Sequence, residues 1–165
     1  MPDSNEGTIL VVDDTELVRE AVVGILKRAN FKVLSADSGA GAIKLVGETH
    51  EEIDLLLSDV EMGAMSGPDL GEFLKKSRPA MHVMLMSGGQ NGNLLVLNYG
   101  WAYIQKPFVA TKLVQMIKEV LSSENRSQLG GHRFDTRMDI KYQNGGKSKA
   151  AGADIHPPAS NEPER

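Results

Sequence analysis

The chain contains no cysteine. It therefore has no disulfide framework and no thiolate metal site, and a reducing, cytoplasmic compartment is the expectation. No apolar run approaches the roughly 20 residues of a membrane-spanning helix. Residues 1–8 lack the basic and apolar regions of a secretory signal, so no membrane association is expected. A concentrated basic face is also missing. Residues 1–123 carry 11 Lys/Arg against 16 Asp/Glu, and residues 124–165 carry 7 against 6, which argues against direct nucleic-acid binding. There is no internal repeat. Two phosphate-loop lookalikes each lack a defining glycine. Lys44 stands at the third glycine of a dinucleotide fingerprint begun by Gly39, and Lys141 stands where the first glycine before Gly146-Lys147-Ser148 belongs. Asn125-Arg126-Ser127 is a glycosylation sequon by pattern only.

What is present is a patterned domain. The 165 residues are 41% hydrophobic, enough for one packed core with some chain to spare. Five short apolar runs read as strands: Ile9–Val12, Phe31–Ser35, Ile53–Ser58, Val83–Met86 and Ala102–Gln105. Between them lie helical stripes. Val18, Val22, Ile25 and Leu26 form one, Ala42, Ile43 and Val46 another, and Gly67-Pro68 opens a third with proline in the first turn. Val109 to Leu121 carries the last. Gly88 to Asn93 is loop chemistry, and only Leu94 to Tyr99 has room for a short helix there. Strands alternating with helices imply a parallel α/β sheet, because parallel pairs need crossover connections. We divide the chain into a disordered N-terminus (1–7), a folded domain (8–123) and a disordered, low-complexity tail (124–165) without an output domain. In the tail, Leu129, Phe134, Met138, Ile140, Tyr142 and Ile155 are the large apolar residues, too few to offset chain entropy. A short helix near 132–142 is the one element it suggests.

Four of the strand runs end on residues suited to phosphate or a divalent metal. In an open parallel sheet, ligands bind outside the carboxyl ends of the strands. The first run ends in Asp13-Asp14, the third in Asp59, the fourth in Ser87 and the fifth in Lys106-Pro107. Like charges about 4 Å apart repel by roughly 4 kcal/mol at an effective dielectric of 20. Three gathered carboxylates therefore call for a cation, and all-oxygen ligands favour Mg²⁺ or Mn²⁺. A carboxylate at the Asp59 position can attack phosphorus to form an acyl phosphate. The Ser87 hydroxyl can donate to a phosphoryl oxygen, and Lys106 can set a fixed positive charge against the anion. A cis Lys106-Pro107 bond would aim the ammonium inward.

These residues resemble the receiver (CheY-like) domain of bacterial two-component response regulators, over about Thr8 to Ser123. The strings that carry the likeness are Ile9 to Asp14, Asp59-Val60-Glu61-Met62 with Met65-Ser66-Gly67, Met86-Ser87-Gly88, and Tyr103 to Phe108. The resemblance implies a flavodoxin-like (βα)5 doubly wound sheet of five parallel strands in the order 2-1-3-4-5. It implies Asp59 as phospho-acceptor and a Mg²⁺ site in which Asp14 and Asp59 are ligands, Asp13 acts mainly through water, and Glu61 gives its backbone carbonyl. It also implies Lys106 as the phosphoryl partner, and Ser87 and Tyr103 as the switch pair. The implied donor is a sensor histidine kinase or histidine phosphotransfer protein, with an unknown protein downstream. The chain itself would be a regulatory acceptor rather than an enzyme.

Some residues depart from that pattern. Gly63-Ala64 stands where Pro-Gly is frequent. Ser87 to Lys106 is 19 positions, about three short, and the deficit falls on the fourth of five helices. Val109 stands where a capping side chain is common, an absence that costs about 1 kcal/mol. By the same resemblance, the Glu61 side chain would lie beside the path of an attacking water and could tune loss of the phosphoryl group. Two other readings compete with the receiver. A haloacid dehalogenase-like aspartyl phosphatase would have Asp-x-Asp, whereas Thr15 follows Asp14 here. A pseudo-receiver interaction module would not need all five chemical positions.

Overall fold

The computed structural model describes residues 5–89 and 98–127, with side chains described through Ser123. Residues 128–165 of the expected tail, most of the expected N-terminal segment and most of the segment Leu94–Tyr99 lie outside the described residues; residues 124–127, expected to be disordered, instead continue the last helix. Five strands and four helices are described: β1 (Thr8–Val12), α1 (Glu16–Arg28), β2 (Lys32–Ala36), α2 (Gly39–Glu48), β3 (Leu55–Asp59), α3 (Gly67–Ser77), β4 (His82–Ser87), β5 (Ala102–Gln105) and a last helix, α4 (Ala110–Ser127).

The apolar runs become strands because they can be covered on both faces. All five residues of β1 are buried, as are Leu55 to Ser58 of β3 and Val83 to Ser87 of β4. The strands lie in the order β2-β1-β3-β4-β5, and every neighbouring pair is parallel. This is the arrangement that the resemblance implies. Strand periodicity divides the core in two. Ile9, Val11, Leu55, Leu57, Met84 and Met86 face α1 and α4, where Val22, Leu26, Leu113 and Ile117 meet them. Leu10, Val12, Leu56, Val83 and Leu85 face α2 and α3, where Ala42, Val46, Leu70 and Leu74 meet them. Each fully buried leucine of these layers stabilises the fold by about 1.5–3 kcal/mol.

Local signals set the helix ends. Ser38 Oγ accepts the Gly41 N–H at 3.1 Å, and Ser66 Oγ accepts the Asp69 N–H at 3.2 Å, with Pro68 in the first turn. Asn30, with φ of 67°, stops the run of α1. Val109 precedes α4 and is exposed, in keeping with the missing cap.

The second strand is displaced by one residue from the expected Phe31–Ser35. Phe31 is buried, and its N–H closes the end of α1 on the Leu26 carbonyl at 3.1 Å. The ladder with β1 starts at Lys32, paired with Thr8. The third strand starts at Leu55, later than expected, because Asp54 serves as a brace. Its carboxylate accepts the Thr8 N–H at 2.7 Å, and its own N–H donates to the Thr8 carbonyl at 2.9 Å.

Candidate functional site

The parallel register fixes which residues leave the sheet together. Val12 pairs with Ser58, Asp59 with Met86, and Ser87 with Gln105. The residues after these pairs therefore emerge at one carboxyl edge. Two bonds extend the ladder beyond the strands, from the Val60 N–H to the Met86 carbonyl at 2.9 Å and from the Lys106 N–H to the Ser87 carbonyl at 2.8 Å.

At that edge three carboxylates and an ammonium meet. One oxygen from each of Asp13, Asp14 and Asp59 lies within 4.8 Å of the others. Lys106 Nζ donates to Asp13 Oδ2 at 2.9 Å and to Asp59 Oδ1 at 3.2 Å. The Asp13 side chain is fully buried, that of Asp59 keeps 13% exposure, and Asp14 is exposed. The Lys106-Pro107 peptide bond is cis, the geometry considered from the sequence.

Charge and burial compete here. Burial pushes the Asp59 carboxyl above its ordinary pKa; the Lys106 hydrogen bond and charge pull it back, Asp13 pushes it up again, and the net direction is up. Burial alone would lower Lys106, but its hydrogen bonds to Asp13 and Asp59 outweigh that, so the ammonium is held above its usual value. One ammonium against three carboxylates leaves two negative charges unbalanced. A donor set made of oxygen alone, short of positive charge, fits a hard divalent cation.

The other expected residues occupy distinct settings. Ser87 is buried, and its Oγ accepts the Gly89 N–H at 3.1 Å, which leaves its own proton free to donate elsewhere. Tyr103 is half-buried opposite Leu85, and burial raises its phenol. Glu61 is exposed in the segment between β3 and α3.

Sequence reasoning passed over the residues that brace this edge. Ser58 is fully buried, and its Oγ donates to the Asp59 carbonyl at 2.9 Å. Gly67 packs so closely that a Cβ there would collide with the same carbonyl, while its N–H donates to Val60 O at 2.9 Å. Arg19 Nη1 donates to the Asp13 carbonyl at 2.7 Å. The Ser66-Gly67-Pro68 string marks a helix start but gives no hint of what the glycine touches. Trp101, before β5, stacks on Tyr99 with centroids 4.7 Å apart and packs against Gly71 of α3.

Comparisons with known proteins agree with this geometry. The sensor kinase CckA of Brucella abortus is 30% identical over 125 residues, which is 74% of this chain and 13% of that protein. The heme response regulator HssR of Staphylococcus saprophyticus is 32% identical over 120 residues, 72% of this chain and 53% of that one. The chain thus spans only part of the length of these curated relatives. Among solved structures, a response regulator receiver domain protein from Clostridium thermocellum aligns with a TM-score of 0.65 at 28% identity, covering 74% of this chain and 98% of its own. The receiver domain of the hybrid histidine kinase CckA aligns with a TM-score of 0.57 at 33% identity, covering 70% and 99%. Residues 9–118 match the response regulator receiver domain family, and the chain belongs to that family.

Proposed function

We propose that Asp59 is the phospho-acceptor of this receiver domain and that the edge around it works as a Mg²⁺-dependent switch. The observation that carries the assignment is the pair of hydrogen bonds that Lys106 donates to Asp13 and Asp59. It sets a fixed cation beside a carboxylate whose pKa is raised by burial, at the mouth of a parallel sheet. In the transfer, an Asp59 oxygen attacks the phosphorus of a phosphoimidazole. The P–O bond forms as the P–N bond breaks, and the imidazole leaves with its electron pair and takes up a proton. The donor is a histidine kinase or a histidine phosphotransfer protein.

Mg²⁺ would be held by Asp14 and Asp59, by Asp13 through water and by the Glu61 carbonyl. When bound, it would neutralise charge on the transferring oxygens. Lys106 then pairs with the new anion, and the Ser87 hydroxyl donates to it. Such a change biases the domain between two pre-existing states, with the segment after β4 and Tyr103 as the parts that respond. Positions 8–123 form the receiver, and its effect on a downstream protein is exerted by contact.

The test is phosphorylation from acetyl phosphate with Mg²⁺. The native chain takes up one phosphoryl group per molecule, and Asp59→Asn takes up none. Undiminished labelling of the Asn variant would move the acceptor elsewhere, and steady turnover of a phosphomonoester would favour an aspartyl phosphatase instead.

A further inference from the structure

We infer that Arg19 is a positioning residue for the divalent metal, acting through the peptide that joins Asp13 to Asp14. This rests on the metal reading given above. The two aspartates are held in opposite ways. Asp13 is engaged on every side. Its N–H donates to the Ala36 carbonyl at 3.3 Å, its Oδ1 accepts the Thr15 N–H at 2.9 Å, and its Oδ2 accepts from Lys106 at 2.9 Å. Asp14 is exposed, and its carboxylate accepts no hydrogen bond among the described residues. The backbone is therefore the only part of Asp14 that its surroundings hold in place.

That backbone is governed from one side by Arg19. The Asp13 carbonyl and the Asp14 N–H belong to one rigid plane. Arg19 Nη1 fixes this plane through its 2.7 Å bond to the carbonyl. The Thr15 N–H, bonded to Asp13 Oδ1, closes a turn around Asp14. The two restraints together place the Asp14 Cα and its Cα–Cβ bond, the base from which the carboxylate reaches a metal. Arg19 is itself anchored: it lies in the first turns of α1, is half-buried, and donates its N–H to the Thr15 carbonyl at 3.0 Å. A guanidinium suits this task, because its planar fork loses little freedom when one donor is fixed.

Charge and position predict opposite outcomes, so the role can be tested. A guanidinium bonded to the Asp13 carbonyl opposes the approach of another cation to the site. If Arg19 acted only by its charge, removing it would tighten Mg²⁺ binding. If it acts by holding the Asp13-Asp14 plane, removing it loosens the ligand geometry and weakens binding. Outer-shell partners of metal ligands typically contribute about 10–100-fold to affinity.

The experiment measures binding to the unphosphorylated full chain by Mn²⁺ paramagnetic resonance titration, repeated in competition with Mg²⁺. Melting curves in EDTA monitor folding. Arg19→Gln weakens both metals about tenfold. Arg19→Lys keeps a charged donor without the fork, so it weakens them about threefold. Raising Mg²⁺ should recover part of the acetyl phosphate labelling that either variant loses at limiting metal, and a loss that is the same at limiting and saturating Mg²⁺ would overturn a role in metal affinity. Unchanged or tighter binding in Arg19→Gln would overturn the inference. If that variant fails to melt cooperatively, Arg19→Lys decides: weaker binding supports the role and unchanged binding ends it. Absence of metal binding in the native chain would instead remove the metal reading on which the inference rests.

Discussion

Two stretches of the same sheet edge are built on different plans. At the ends of β1, β3 and β5, Asp13, Asp59 and Lys106 are tied down. Lys106 bridges Asp13 and Asp59, Ser58 donates to the Asp59 carbonyl, Gly67 packs closely against that carbonyl, and Arg19 donates to that of Asp13. After β4 the chain is looser. Ser87 has its hydroxyl on a neighbouring N–H, Gly88 and Gly89 are exposed, and a Cβ on Gly88 would meet nothing within 4 Å. The contrast separates two duties. Phosphoryl chemistry requires groups placed before the reaction starts, whereas a switch needs a segment with room to change.

A pair of glycine substitutions tests the contrast most directly. In Gly67→Ala the added methyl meets the Asp59 carbonyl, which is backbone and cannot swing aside. We expect a loss of about 3 kcal/mol, the upper end of overpacking, or roughly 10 °C of Tm. Gly88→Ala should stay within about 0.5 kcal/mol. Equal melting temperatures would mean that the Asp59 end is no more tightly built than the loop.

Gly71→Ala probes the junction between the regions. The new methyl would lie 2.9 Å from the Trp101 ring, a half-buried side chain able to shift. A cost of about 1.5 kcal/mol is expected, together with a red-shifted emission from Trp101, the one tryptophan of the chain. Unaltered emission would show that α3 yields rather than the ring.

The smallest effect concerns charge. The folded pKa of Asp59 is raised, so the folded protein holds that proton more tightly than the unfolded chain does. The stability it contributes is present below the ordinary carboxylate range and lost as pH rises through the raised value. Metal-free Asp59→Asn should therefore be more stable than the native chain at neutral pH. The gain should disappear in acid. Denaturant titrations in EDTA at both pH values measure it, and a gain independent of pH would assign the effect to packing.

The legible part of the site was the part written in consecutive residues. Asp13-Asp14, Asp59, Ser87 and Lys106 each follow an apolar run, and a parallel sheet brings such ends together. The strand order also followed from the family likeness. What stayed hidden depended on proximity that no local pattern encodes. Gly67 and Asp59 touch across a loop, Trp101 meets Gly71 from thirty positions away, and Arg19 reads as an ordinary polar-face residue of α1 until its guanidinium is placed. The one-residue error at β2 had a similar origin. Phe31 is as apolar as a strand residue, but it serves to close α1.

The rims of the sheet carry one more consequence. β5 spans only Ala102–Gln105 before the chain turns at Lys106-Pro107, and β2, at the opposite rim, carries Lys32 in an ion pair with Glu51 at 2.6 Å. A rim that is short or charged offers little backbone to a stray strand from another molecule. The two flanks of the sheet are therefore poor templates for edge-to-edge pairing between copies of the domain.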